Sequence, residues 1–254
     1  MIKMFSFFHR TPVIHLDCFT YMGHIYELTP IVSAAKAAPD WWKNLDSGRL
    51  SYDWKYFSPP RKSLTMKSCY GFIELYKRGA ILENWCDLRL QISVDNGFKY
   101  MHSSGDKPSE HPRFQLGEGF RNFYHLKLTS PWIFREKQGI KFHFNGAMWS
   151  MEDYNFRVVP GVVDYRLNGY TNVNIMIPNE VAEYTVPVGQ PLVHIIPLSD
   201  KRLKVKNHLI SRFEYDNMFR HSTSYYSGWK AVNKLLHRND KRKSGCPFGF
   251  GDQN

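Results

Sequence analysis

The chain is predicted to be an all-β protein, a β-sandwich, jelly roll or barrel with a few peripheral helices. Three observations predict it. Short segments of apolar–polar alternation recur between residues 13 and 197, glycine and proline turns punctuate them, and few stretches keep a helical period. At 254 residues and 43% hydrophobic composition, the chain can bury a proper core as one large or two small domains. The expected organisation is one β-rich domain over residues 1–200, followed by a basic helical tail over 201–254 with a glycine-rich end.

Val13–Thr20 reads as the first strand. Its His15 and Asp17 share a face because strand side chains alternate. They form either a hydrogen-bonded pair or two ligands of a two-His, one-carboxylate metal site, although no downstream histidine is spaced to stand out as the third. Thr29-Pro30 has the form of an N-cap with proline at the first helical position, predicting a helix over 31–38 that Pro39 ends or kinks. Trp41 and Trp42 then pin a helix end onto the core or line a stacking surface for a base or sugar. Ser58–Arg61 is a linker or turn.

Ser68–Tyr76 and Trp85–Val94 predict a hairpin around Lys77-Arg78-Gly79. In its second arm Cys86, Leu88, Leu90, Ile92 and Val94 alternate with Asp87, Arg89, Gln91 and Ser93, the pattern of a half-buried strand. His102–His111 is a loop. Gly117-Glu118-Gly119 is a turn, since no strand-to-helix phosphate loop surrounds it. Phe123–Leu128 and Ile140–Asn145 are strands, joined by a turn that starts at Ser130-Pro131-Trp132 and ends near Gly139. The second places Ile140, Phe142 and Phe144 on one face and His143 on the other.

Val173, Ile175 and Ile177 alternate with Asn172, Asn174 and Met176, and Tyr184, Val186 and Val188 repeat the pattern. Leu192–Ile196 is apolar on both faces, as a fully covered strand is. His194 within it is a satisfied core histidine or a ligand. Lys201–Lys206 is a charged strand or loop. Tyr225–His237, with Trp229, Val232, Leu235 and Leu236 on one stripe and Ser227 as N-cap, predicts the clearest helix.

Net charge is +11, and residues 201–254 hold twelve Lys/Arg against four Asp/Glu, a net of +8. Such a tail predicts a polyanionic partner, nucleic acid or an acidic protein surface, reached through residues 201–243, or else simply solubilises the chain. Cys18, Cys69, Cys86 and Cys246 form no CxxC pair, which suits a reducing compartment and gives neither a disulfide framework nor a zinc site. No run approaches the roughly 18 apolar residues of a membrane span, and Met1–Arg10 lacks a secretory apolar segment, so a soluble, non-secreted protein is expected.

Gly161-Val162-Val163-Asp164, Gly169 five residues on, an alternating strand and Pro187-Val188-Gly189-Gln190-Pro191-Leu192-Val193 together resemble the β-clip fold of the dUTPases and dCTP deaminases. The likeness covers residues about 158–197 and implies a dUTPase-like core over about 121–200 behind an N-terminal addition at 1–120. The chain also resembles a family of bacteriophage proteins that brings no activity with it. That likeness rests on the landmarks Pro-Trp…Gly, GVVD and Gly-x-Pro-Leu…Ile-Pro, with PDWWK and CYGFIELYKRGAI, over most of residues 30–200. It implies a phage-type accessory or structural protein in the host cytoplasm or virion, working with other viral proteins or as a homo-oligomer, trimeric as in dUTPases.

In a dUTPase the turn aspartate orients a water for attack on phosphorus, a neighbouring tyrosine stacks on the deoxyribose, and magnesium holds the triphosphate. The resemblance therefore makes Asp164 the catalytic candidate, with magnesium as cofactor only if nucleotide hydrolysis is retained. Arg166 and Arg242 become phosphate-binding candidates, and Phe248 and Phe250 of the Arg/Gly-rich end become base-covering ones. Leu167 stands where the tyrosine belongs and Arg166 where a second acid usually lies. Those departures remove the sugar stack and set a cation beside the base, favouring a non-catalytic interaction scaffold. A nucleotide pyrophosphatase is the alternative, and nucleic-acid binding through the basic tail the third reading. A cupin-type metal site at Pro187-x-Gly189 and His194 is a further candidate, without the His-x-His motif that usually completes it.

Overall fold

The computed structural model describes residues 12–51, 61–93, 97–102, 108–115, 117–147, 149, 156–220 and 234. Its strands are β1 Val13–Thr20, β2 Val32–Ser33, β3 Gly48–Ser51, β4 Arg61–Leu64, β5 Ala80–Glu83, β6 Leu88–Ser93, β7 Gly97–His102 and β8 Ser109–Glu110. They continue with β9 Phe123–Arg135, β10 Lys141–Gly146, β11 Arg157–Val158, β12 Gly161–Asp164, β13 Tyr170–Pro178, β14 Ala182–Val186, β15 Pro191–Pro197 and β16 Arg202–Leu209. The helices are short: α1 Gly23–Leu28, α2 Ala34–Ala37, α3 Asp40–Lys43, α4 Tyr70–Lys77 and α5 Arg212–Arg220. The fold is all-β with a few helices, as the alternation predicts.

The largest sheet runs β11-β13-β9-β1-β16, with β8 also paired to β9. A second runs β12-β10-β15-β5-β2, a third β14-β6-β7, and β3 pairs with β4. Period-2 burial explains how they meet. Ile14, Leu16 and Cys18 of β1, Leu126, Leu128, Trp132 and Phe134 of β9, and Val173, Ile175 and Ile177 of β13 share one face. They join Leu82, Leu90, Phe142, Phe144, Val193 and Ile195 from the other sheets in a single apolar cluster. Each such side chain contributes about 1.5–3 kcal/mol relative to exposure. The first and last strands lie side by side, β1 pairing in parallel with β16 along its whole length from Val13↔Arg202 to Thr20↔Leu209. The basic segment from 201 thus begins inside the main sheet, and segments from both sides of residue 120 interleave in the same sheets.

Several local expectations are corrected. The predicted helix over 31–38 is not formed. Thr29 instead closes α1, its N–H donating to the Ile25 carbonyl at 3.1 Å, and Val32-Ser33 pairs with Ile81 and Ala80, drawing the segment into the second sheet and leaving only the single turn α2. Ser68–Tyr76 is not a hairpin arm: Met66–Ser68 is a 3-10 turn and Tyr70–Lys77 a helix, with Phe72 and Tyr76 one turn apart on one stripe. The partners of β6 are β7 and β14, and Leu88, Leu90 and Ile92 are buried while Arg89 and Gln91 are exposed.

No turn begins at Ser130-Pro131-Trp132, because β9 runs on to Arg135. The proline is accommodated where the β9–β13 register shifts between Tyr170 and Asn172, opposite the stretch of β9 that cannot donate a regular ladder bond. Val188 is exposed in the turn after β14 and does not extend its alternation. The loop expected at His102–His111 contains β8. Trp42 does pin its short helix to the core, lying 4.6 Å from the Tyr76 ring and donating Nε1–H to the Met66 carbonyl at 3.1 Å. Ser58-Pro59-Pro60, Val94, the helix predicted at Tyr225–His237 apart from Lys234, Arg242, Cys246, Phe248 and Phe250 lie outside the described residues.

Candidate functional site

β12 is an edge strand paired to β10, and Asp164 ends it opposite Lys141. The chain then turns: the Asp164 carbonyl accepts from the N–H groups of Leu167 and Asn168 at 3.0 and 2.9 Å. The turn is held from below, with Tyr165 between Phe134 and Phe142 at 5.1 and 5.0 Å and Leu167 buried. Gly169 is required by close approach, since a Cβ there would stand 2.5 Å from the Phe134 carbonyl oxygen. That carbonyl belongs to β9, so the turn is locked to the main sheet.

The structure brings two of the candidates together. Arg166 grips Asp164 with a fork, Nε to Oδ1 at 3.1 Å and Nη2 to Oδ2 at 2.8 Å, and its own backbone N–H donates to Oδ1 at 3.1 Å. The Asp164 side chain is only 7% exposed, whereas that of Arg166 is 39% exposed. Burial pushes the Asp164 carboxyl up, but the Arg166 side-chain and backbone hydrogen bonds, with the charges of Arg166 and Lys141, outweigh it and leave it below the usual value. A general base needs a lone pair aimed at a water and an open approach to it. Here the lone pairs point at a guanidinium.

A residue the sequence reading missed supports this arrangement. Glu136 is buried, and its carboxylate takes the N–H groups of Gln138, Gly139 and Ile140 at 2.6, 2.7 and 2.9 Å. It shapes the β9–β10 turn, in which Gly139 has φ +84° and no Cβ to obstruct Arg166; a Cβ would sit 2.8 Å from Nη1. The G at this turn was the visible signal, and the acid three residues before it the overlooked one.

His194 is buried, with both ring nitrogens engaged. Nδ1 accepts from Trp149 Nε1–H at 3.2 Å, which places the proton on Nε2, 2.7 Å from the Arg78 carbonyl oxygen. Burial pushes its pKa down, the Arg78 carbonyl opposes this, and His143 adds to it. It is a core histidine. Asp17 pairs with His208 of β16, Nε2 to Oδ1 at 2.8 Å, while His15 is exposed. Among the described residues no group of three or more His, Cys, Asp or Glu side chains could hold a metal ion.

The third candidate surface lies on the opposite face of the main sheet from the core. Leu203 and Val205 of β16 turn inward, so Arg202, Lys204 and Lys206 stand exposed in a row. Across the ladder lie Val13, His15 and Asp17, and Arg135 of β9 adjoins Asp17 from the far side. Asp17 is the one carboxylate on β1, β9 and β16. None of Arg202, Lys204, Lys206 and Arg135 has a carboxylate partner among the described residues. The charge of Lys201–Lys206 was visible in the sequence; the placement of Arg135 beside it was not. Among the described residues, no helix is long and apolar enough to cross a membrane. No protein-family model and no curated protein sequence matches the chain.

Proposed function

We propose that the chain is a non-catalytic interaction protein that docks on nucleic acid through the exposed face of β16, β1 and β9, in the accessory or structural role its phage-like sequence features imply. The observation that carries the reading is the row Arg202, Lys204 and Lys206 with Arg135 alongside, four cations on an open face with a single carboxylate among them. Along β16 the row repeats every two residues, about 6.6 Å, and flexible cations at that spacing can each meet a backbone phosphate. The Asp164–Arg166 fork supports the non-catalytic half of the reading.

Four phosphate contacts predict a log–log salt slope of about −3.6 on duplex DNA, or about −2.8 on a single strand. Affinity for a labelled 20-mer, read by fluorescence anisotropy, then falls roughly 50- to 150-fold between 50 and 200 mM salt. The double variant Lys204→Glu/Lys206→Glu is expected to abolish most binding and flatten the slope. Binding indifferent to both salt and the double variant refutes the reading. Under the same reading, a panel of dNTPs with magnesium yields no pyrophosphate; release that disappears in Asp164→Asn would replace it with nucleotide hydrolysis.

A further inference from the structure

We infer that the nucleic acid is single-stranded and that a base stacks on Phe213, in the helix that follows the cationic strand β16; this rests on the nucleic-acid reading above. Width is the first argument. The three strands of the face, β9, β1 and β16, each take up about 4.8 Å and together roughly 14 Å, whereas the major groove is about 12 Å wide and admits a helix or a two-stranded ribbon. This face cannot enter a groove. A flexible strand can lie along it.

The neighbouring helix is not built as a duplex reader either. Arg212 of α5 is committed to Asp216, Nε to Oδ1 at 2.9 Å, and to the Tyr21 ring at 4.3 Å. With Glu214 and Asp216 in the same helix, α5 offers no net positive surface in its first turns.

Phe213 is the second argument. It is 75% exposed, four residues beyond β16, and the backbone before and after it is anchored. The Ile210 N–H continues the ladder to the Thr20 carbonyl at 2.9 Å. Ser211 and Glu214 then form a capping box, with Ser211 Oγ to Glu214 Oε2 at 2.7 Å and Glu214 N–H to Ser211 Oγ at 3.3 Å. Tyr215 is buried beside Tyr21, ring centroids 4.8 Å apart. Between the cap and the anchored Tyr215 the Phe213 backbone is held while its ring stands exposed, beyond the strand that carries the cations, where an aromatic face can stack on any base.

The test compares labelled oligo-dT of 20 nucleotides, a duplex of equal length and labelled heparin, bound by the full chain at one salt concentration. The single strand is expected to bind more tightly than the duplex. Phe213→Ala is expected to weaken single-strand binding roughly 5- to 150-fold while leaving the salt slope, duplex and heparin affinities unchanged, and Phe213→Trp is expected to restore it. Duplex binding as tight as single-strand binding, or a Phe213→Ala protein that loses nothing while Lys204→Glu/Lys206→Glu still weakens binding, overturns the inference and leaves the nucleic-acid reading intact. Heparin binding without either nucleic acid overturns both in favour of an acidic protein partner, and no binding at all overturns both outright.

Discussion

Replacing Glu136 by glutamine tests whether the turn beside Asp164 is organised by one buried anion. The side chain is 1% exposed and accepts three backbone N–H groups, at 2.6, 2.7 and 2.9 Å. Hydrogen bonds to a charged group contribute about 1.5–3 kcal/mol each, and neutral ones about 0.5–1.5 kcal/mol. Glutamine keeps the shape, but one of its two acceptor positions becomes an NH₂ facing a backbone donor. One charge-assisted bond is lost and the remaining two weaken to neutral strength, a cost of about 3–5 kcal/mol. For a chain of this size that lowers the melting temperature by roughly 6–20 °C. Circular dichroism and tryptophan fluorescence melts, required to coincide, provide the measurement. An exposed neighbour changed in parallel, Lys137→Gln, controls for loss of charge alone. A Glu136→Gln protein melting within about 2 °C of wild type would refute the reasoning.

Two further outcomes are expected. Burial holds the pKa values of His125 and His194 below the ordinary histidine range, with the neighbouring charges of His111 and His143 acting in the same direction. Below about pH 6.5 the unfolded chain therefore takes up protons that the folded chain resists, so stability is full above that pH and falls as pH drops toward the folded values. Neither ring nitrogen of His125 has a hydrogen-bond partner among the described residues, and its ring stacks on His111 at 4.4 Å. His125→Phe keeps the stack and removes the buried donors; it should flatten the pH dependence and raise stability at pH 5.5 by about 1 kcal/mol or more. Denaturant midpoints at pH 7.5 and 5.5 check this, and an unchanged slope rejects it. Gly169→Ala should cost about 1–3 kcal/mol as the turn is pushed off the Phe134 carbonyl, and a denaturant midpoint equal to wild type would contradict that contact.

The alternation of Leu88, Leu90 and Ile92 and of Val173, Ile175 and Ile177 was legible because face periodicity is a local property of a strand, whereas Lys201–Lys206 read equally as strand or loop. The all-β class follows from adding such segments. Pro131 and Thr29-Pro30 misled because a proline's meaning depends on what lies opposite it: a register shift absorbs the first, and the end of α1 rather than the start of a helix explains the second. Tyr70–Lys77 was ambiguous for a related reason, since a short apolar run suits a helix or a strand until its neighbours are known. Asp164 and Arg166 were visible two residues apart, yet only the folded turn, propped by Glu136 and Gly139, converts them into a closed ion pair. The sequence by itself determined which residues face inward and outward along strands such as β6 and β13, and where the positive charge is concentrated. Tertiary structure alone decided that β16 lies beside β1 and that Arg135 completes its cationic face, because strand pairing and register are chosen by burial between segments far apart in the chain.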